Sequence, residues 1–221
     1  MSHTLDRPSP ALVVAQPRKG FRYGAEAFWL VGFALEDSTP DSALDLGTGS
    51  GIMAMLLGAA GVPTLGVDLR SEWEPLWAMT LARSRTKAEV RLELADVASG
   101  LPGRSAELVI SNPPFFAAGS GPEPSARWKS AARFESSATL ARFVQVGLEA
   151  LEPGGRMCVV VPVERASELA VHTTRSVAVG RRRMLLELRP GVHGGGPSTN
   201  LDERDPRVLG WYERLGAGLP P

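Results

Sequence analysis

The segment Leu44-Asp45-Leu46-Gly47-Thr48-Gly49-Ser50-Gly51-Ile52 constrains the fold of this chain more than any other stretch. A short apolar run ending in three glycines spaced two apart, with the apolar segment Ile52 to Ala60 behind it, reads as a strand that turns sharply into a helix. Glycines let such a turn approach a ligand closely, and the helix start presents free N–H groups there. A lone glycine repeat is equally compatible with a plain strand-to-helix turn. It also satisfies a dinucleotide form, because Gly49-x-Gly51-x-x-Ala54 matches G-x-G-x-x-A, so an NAD-dependent oxidoreductase is a second reading. Asp45, just before the first glycine, shifts the balance. Its carboxylate can hold an ammonium group, which S-adenosylmethionine has and NAD lacks.

Around this turn, β-like and helix-like segments alternate. Ser42 to Leu46, Thr64 to Leu69, Arg91 to Ala95 and Leu108 to Ser111 read as strands, with helical patterns over Ile52 to Ala60 and Glu74 to Ser84. Strands separated by 10- to 15-residue helical patterns indicate βαβ units and a parallel sheet. The alternation continues with a helix from about Ser137 to Leu151, a strand Met157 to Val161 and a helix Glu164 to Val171. Two strands then follow closely, Ser176 to Val179 and Arg183 to Leu188, placed to pair antiparallel. Upstream, Tyr23 to Leu35 is dense enough in apolar residues to form a helix buried on most sides. The expected fold is α/β: a Rossmann-like, doubly wound, mostly parallel seven-stranded sheet with the last strand antiparallel. The 221 residues favour one such domain at 20–190. Residues 1–19, with Pro8, Pro10 and Pro17, are expected to be a flexible, irregular arm. Residues 191–221 are expected to form a glycine-rich loop and a helical tail over Pro206 to Leu215.

Two further acids follow the glycine turn at strand ends. Asp68 closes Gly66-Val67-Asp68, where a carboxylate can accept hydrogen bonds from both ribose hydroxyls of an adenosine. Asp96 ends the third strand, in register to meet an adenine amine; a helix N-cap is the alternative for it. The most informative feature is Ser111-Asn112-Pro113-Pro114-Phe115-Phe116, at the end of the fourth strand. Two prolines fix the backbone and leave the Asn112 amide oxygen and the Pro113 carbonyl free to accept from one amino group. That arrangement suits a planar NH2 conjugated to a ring or carbonyl, whose lone pair must be localised before it attacks a methyl sulfonium. Phe115 offers an aromatic face worth ~1–3 kcal/mol for stacking a base. The alternative is a proline-rich turn with two core phenylalanines. Trp73 and Trp77, four apart on a helical stretch, read as cover for a core edge. Cys158 reads as a small core residue, and His3, His172 and His193 have no ligand spacing, so no metal site is expected.

With these residues in place, the sequence resembles a class I S-adenosylmethionine-dependent methyltransferase, and within that class the bacterial tRNA (valine) adenine-N6 methyltransferase family. Gln16 to Ala27 is similar to that group's opening Gly-Tyr-Arg-Phe-x-x-Asp stretch, and Ala132-Arg133-Phe134-Glu135 to its Ala-Arg-x-Glu element. The likeness covers roughly residues 16 to 190. Glu26 stands where the group has Asp, Phe115 where it has Tyr, and the helix after Asp68 lacks the group's asparagines. The resemblance implies S-adenosyl-L-methionine as cofactor, held by Asp45, Gly47, Thr48, Gly49, Gly51, Asp68, Asp96 and Asn112. It implies methyl transfer to adenine N6 of RNA, most simply a tRNA, with Asn112, Pro113, Pro114 and Phe115 at the reacting amine. Arg22, Phe116, Arg127, Lys129 and Arg133 flank the site in sequence as substrate contacts. Guanine N2-methyltransferases of ribosomal RNA and glutamine-amide methyltransferases share Asn-Pro-Pro-aromatic and stay open as alternatives, as does a small-amine N-methyltransferase.

Charge bears on the partner. The 24 Lys plus Arg balance the 24 Asp plus Glu, yet residues 1–30 carry +2, 31–110 carry −5, 111–189 carry +4 and 190–221 carry −1. The segments expected to face a substrate are the basic ones, which weakly favours a polyanion and predicts affinity that falls with salt. One cysteine excludes an intramolecular disulfide, and no signal peptide or bilayer-length apolar run is visible, so a cytoplasmic protein without membrane contact is expected.

Overall fold

The computed structural model describes residues 2–113, 140–192 and 198–218. In chain order the elements are β1 (His3–Ser9), β2 (Leu12–Pro17), α1 (Glu26–Ala34), β3 (Ala43–Leu46), α2 (Ile52–Ala60), β4 (Thr64–Asp68), α3 (Glu74–Arg83) and β5 (Val90–Leu94). They continue with β6 (Ala106–Ser111), α4 (Leu140–Glu149), β7 (Leu151–Pro162), β8 (Thr173–Val179), β9 (Arg183–Leu188), β10 (Thr199–Leu201) and α5 (Pro206–Arg214).

The main sheet has the order β10-β8-β9-β7-β6-β3-β4-β5. All neighbouring pairs are parallel except those of β9, which is antiparallel to both β7 and β8. The doubly wound, mostly parallel sheet is as the sequence indicates, and its seventh strand in chain order is the antiparallel one. An eighth strand corrects the expected seven: β10, three residues of the tail, adds in parallel to the outer edge of β8. Three polar-flanked residues carry no period, so only the vacant edge of β8 reveals them.

Strand periodicity assigns the two faces. Leu108 and Ile110 of β6 and Cys158 and Val160 of β7 bury against α1 and α2, whereas Val109, Met157, Val159 and Val161 bury against α4. Burying each such side chain contributes about 1.5–3 kcal/mol. Cys158 lies in mid-strand with no exposure, and burial pushes its thiol up to about 12, as suits a core residue rather than a nucleophile.

Helix α1 is buried from Ala27 to Ala34 because it is covered twice, by the sheet on one side and by α5 on the other. Gly32 allows that second contact, since a Cβ there would lie 2.3 Å from Trp211 Cβ. Phe28 stacks on Tyr212 at 5.2 Å and Phe33 meets Trp211 edge-on at 6.5 Å. Where α1 ends, its carbonyls point at arginines from three other elements. Arg175 donates to Phe33 O at 2.8 Å, Arg156 to Ala34 O at 3.0 Å, and Arg214 to Leu35 O. Cations at a helix C-terminus oppose the negative end of its dipole. Glu36 then accepts from Arg207 (2.7 Å), Arg175 (3.0 Å) and Trp211 Nε1 (2.8 Å). The tail is thus integrated with the domain rather than appended to it.

The expectation for residues 1–19 is also corrected. They form an antiparallel hairpin, β1–β2, with every residue of β2 buried. The outer edge of β2 is closed by α3: Val13 N–H donates to Ser84 Oγ (2.9 Å) and Ala15 N–H to Thr80 Oγ1 (3.0 Å). The prolines sit at the ends of the two strands rather than breaking them, which the local sequence does not distinguish. Val163–His172, expected as an α-helix, winds in tighter 3-10 turns with only Leu169 buried.

Gly32→Ala is expected to displace α5, because the clash is with a Cβ and not with the far end of a flexible chain. A loss of about 1–3 kcal/mol should follow, seen as a Tm lowered by roughly 3–10 °C in thermal unfolding; an unchanged Tm would mean that α5 does not depend on this close approach.

Candidate functional site

The parallel strands end along one edge, and their registers bring the sequence's acids and Asn112 to it. Leu46 is level with Val67 on β4 and with Ser111 on β6, so Gly47, Asp68 and Asn112 leave adjacent strands at nearly the same height. Asp68 is opposite Leu94, and Ala95 N–H donates to Asp68 O at 3.0 Å, which sets Asp96 next along the edge. Ser111 Oγ donates to Leu46 O at 2.8 Å, fastening β6 to β3 immediately before Asn112. Asn112 is half-buried and Pro113 buried.

The glycine turn is held from several sides. Gly47, Gly49 and Gly51 have φ of +71°, +54° and +83°, a region costly for any residue with a Cβ. Gly47 and Thr48 N–H both donate to Val67 O at 2.9 Å. Gly49 N–H donates to Asp68 Oδ2 at 3.0 Å, and Gly49 O accepts from Trp77 Nε1 at 2.7 Å. Trp77 and Trp73 therefore cover a core edge, as their spacing suggests, and Trp77 also grips the turn. Phe21 leans over it, 3.6 Å from where a Gly49 Cβ would lie, with about half its surface exposed. Neither Phe21 nor the Trp77 bond is marked in the local sequence, since both join segments more than 25 residues apart.

Each acid has a distinct setting. Asp45 has no exposure; its Oδ2 accepts from Thr48 Oγ1 (2.6 Å) and from Ala54 N–H (3.2 Å), in the manner of a cap for α2 supplied from the strand. Its Oδ1 has no partner among the described residues. Burial pushes the carboxyl up to about 7, and the nearby Asp68 charge adds to that, against the two hydrogen bonds. Asp68 is nearly buried, and its Oδ1 accepts from Arg70 N–H (3.0 Å) and Arg70 Nε (3.2 Å). Leu69, next in the chain, is exposed at the same edge. Asp96 caps the short 3-10 turn Val97–Ser99, accepting from Ala98 N–H (2.9 Å) and Ser99 Oγ (2.8 Å). The capping alternative for Asp96 is thus realised.

Three buried polar atoms around the turn lack partners among the described residues: Asp45 Oδ1, Ser50 Oγ and Trp73 Nε1. A carboxyl oxygen, a hydroxyl and a donor, beside glycines that admit close approach and an exposed leucine, fit a ligand with an ammonium, hydroxyls and a flat apolar ring. Arg22 is not part of this group. Its guanidinium fastens the hairpin, donating to Asp6 (2.7 Å), Thr4 Oγ1 (2.8 Å) and Pro17 O (3.0 Å). Pro114, Phe115, Phe116, Arg127, Lys129 and Arg133 lie outside the described residues. Among the described residues no group of three or more His, Cys, Asp or Glu could hold a metal ion, and no helix is long and apolar enough to cross a membrane.

Known proteins resemble this chain in sequence and in fold. A family model described as the methyltransferase small domain matches residues 29–174. A Porphyromonas gingivalis protein named tRNA1(Val) (adenine(37)-N6)-methyltransferase is 30% identical over 185 residues, spanning 78% of this chain and 70% of that protein. A Klebsiella pneumoniae protein of the same name is 31% identical over 193 residues, spanning 80% and 74%. Among solved structures, a putative class I S-adenosylmethionine-dependent methyltransferase from Listeria monocytogenes is similar, with a TM-score of 0.57 at 18% identity over 90% of this chain and 74% of that one. A Pyrococcus furiosus methyltransferase has the same TM-score at 16% identity over 82% and 90%.

The Asp45 carboxyl gives a pH test. Its folded value lies above that of an ordinary carboxylate, so the stability it allows is full below about pH 4 and is lost as pH rises to about 7. The stability of Asp45→Asn relative to wild type should therefore rise between pH 5 and 7 and level off above, in thermal unfolding across that range. A difference independent of pH would show that the buried carboxyl titrates normally.

Proposed function

The chain belongs to the methyltransferase small domain family, and from that premise we propose that it is an S-adenosylmethionine-dependent N-methyltransferase acting on adenine N6 in a tRNA. The observation that carries the reading is the position of Asn112. It follows Ser111, which is level with Leu46, so the amide that can orient an amino group stands one strand from the glycine turn. The names of relatives at about 30% identity support adenine N6 and tRNA as the target. The expected site is thus intracellular and cytoplasmic, where tRNA is found.

In this reading Asp45 Oδ1 receives the methionine ammonium, Asp68 the ribose hydroxyls, and Asp96 with Leu69 borders the adenine of the cofactor. When bound, the cofactor supplies an electrophilic methyl carbon whose transfer leaves the electron pair on sulfur. The target base is flipped out of its stack at a cost of a few kcal/mol, least in an unpaired loop. Asn112 Oδ1 and the Pro113 carbonyl accept the two amine hydrogens, turn the nitrogen lone pair toward the methyl and hold it there. Phe115 stacks on the ring. The surplus amine proton leaves through these same acceptors to water, so no strong general base is needed and the lack of a histidine here among the described residues is no gap.

Asn112→Ala is expected to lower kcat for tRNA methylation by at least 100-fold, on the scale of a lost transition-state hydrogen bond, with cofactor affinity kept within a few fold. Asp68→Ala is expected to weaken cofactor binding, read by calorimetric titration. Nucleoside mass spectrometry of the product should show N6-methyladenosine. N2-methylguanosine would redirect the reading to guanine, and sustained turnover by the Asn112 variant would remove the mechanism.

A further inference from the structure

The edge that carries Asn112 extends across β7 to β8 and β9. Strand β8 runs in the same direction as β6 and β7, so its turn into β9, Gly180-Arg181-Arg182, opens at that edge. Ser111 is opposite Val159 on β7, and Pro162, three residues further on, is opposite Arg183 on β9. With strands about 4.8 Å apart, β9 lies roughly 10 Å from β6 across the sheet. Arg183 is also about two residues further along the edge than Asn112, so the turn lies on the same edge as the amine-orienting residues, beyond β7 on the side away from Asp68 and Asp96.

Its backbone is fixed. Gly180, at φ +62°, donates its N–H to Leu201 O at 2.9 Å, and Val163 N–H donates to Arg182 O at 3.2 Å. Arg183 pairs with Glu26 at 3.0 Å. On this fixed turn Arg181 and Arg182 are exposed, and among the described residues neither side chain has a hydrogen bond or ion pair. Both rim a cavity of about 590 Å3. Of the carboxylates in that cavity, Glu26 is paired with Arg183, and Asp202 accepts from Arg204 N–H at 2.7 Å. Glu203 Oε1 lies 3.4 Å from where a Gly180 Cβ would be, at the start of the turn. Arg181 and Arg182 thus present two exposed guanidiniums without a partner among the described residues, and their fork-shaped donors match phosphate oxygens.

We propose that Arg181 and Arg182 bind backbone phosphates of the RNA strand that flanks the target nucleotide, making the β8–β9 turn the docking element on the substrate side of the sheet. This rests on the RNA reading given above. Phosphate contacts position a strand without reading its sequence, so the effect falls on substrate binding and not on the chemical step.

The test uses the full chain, an unmodified tRNA transcript and S-adenosylmethionine. Arg181→Ala with Arg182→Ala should raise KM for tRNA about tenfold, leave kcat and cofactor affinity unchanged, and flatten the dependence of log affinity on log salt by about 1.5–2. Arg181→Lys with Arg182→Lys should retain most of the salt dependence, because the charges remain. Arg85→Ala with Lys87→Ala removes two equally exposed cations, also without partners among the described residues, before β5 at the opposite edge, and should leave KM within twofold. Wild-type KM and salt slope in the Arg181/Arg182 alanine variant would overturn the proposal, as would an equal loss in the Arg85/Lys87 variant. A wild-type chain that neither binds nor methylates tRNA would instead overturn the RNA reading itself, and that result is visible without any variant.

Discussion

The clasp on Gly49 is the constraint on which the rest of the site depends. Asp68 takes its N–H from β4, and Trp77 donates to its carbonyl from α3. A buried peptide group without partners costs as much as a lost hydrogen bond. Satisfying both ends from two other elements fixes where the turn lies relative to both. The left-handed glycines permit that path, and the clasp selects it. Because the same turn takes two more bonds from Val67, the level of β3 against β4 is set at the edge where ligands bind in such sheets.

A second knot, at the end of α1, holds the other half of the molecule. Arginines from β7, β8 and α5 converge on three successive carbonyls and on Glu36. The guanidiniums beside Glu36 hold its carboxyl below its ordinary range against the opposing effect of burial. Breaking one member of such a partly buried network leaves its neighbours uncompensated, so the network acts as a unit. It ties the tail to α1 and, through Arg175, to the strand that leads into the β8–β9 turn. The glycine turn and the β8–β9 side of the sheet are thus positioned by different networks.

Much of this was legible from local patterns. The strand–turn–helix at Leu44 to Ile52, the acids at the ends of β3 and β4, and Asn112 after β6 were each marked by residues adjacent in sequence, because backbone conformation at a strand end is a local property. The hairpin of residues 3–17 was not, because what makes it a hairpin is its packing on Thr80 and Ser84 of α3's end, some 65 and 71 positions away. Strand β10 was missed for the same reason. Arg22, placed by sequence beside the substrate, is held by the hairpin that the sequence did not reveal, and Asp96 caps a turn whose geometry only the chain path defines.

Sequence alone therefore determined the fold class and the family, since apolar periodicity and a strand-to-helix glycine turn act within a few residues. Tertiary structure alone decided which polar atoms beside the turn lack a partner among the described residues. It also decided that Asp45 is sealed in a setting that raises its carboxyl to about 7, and that Arg181 and Arg182 open on the same edge as Asn112. Those are properties of burial and of strand register, and both depend on which distant segments come together.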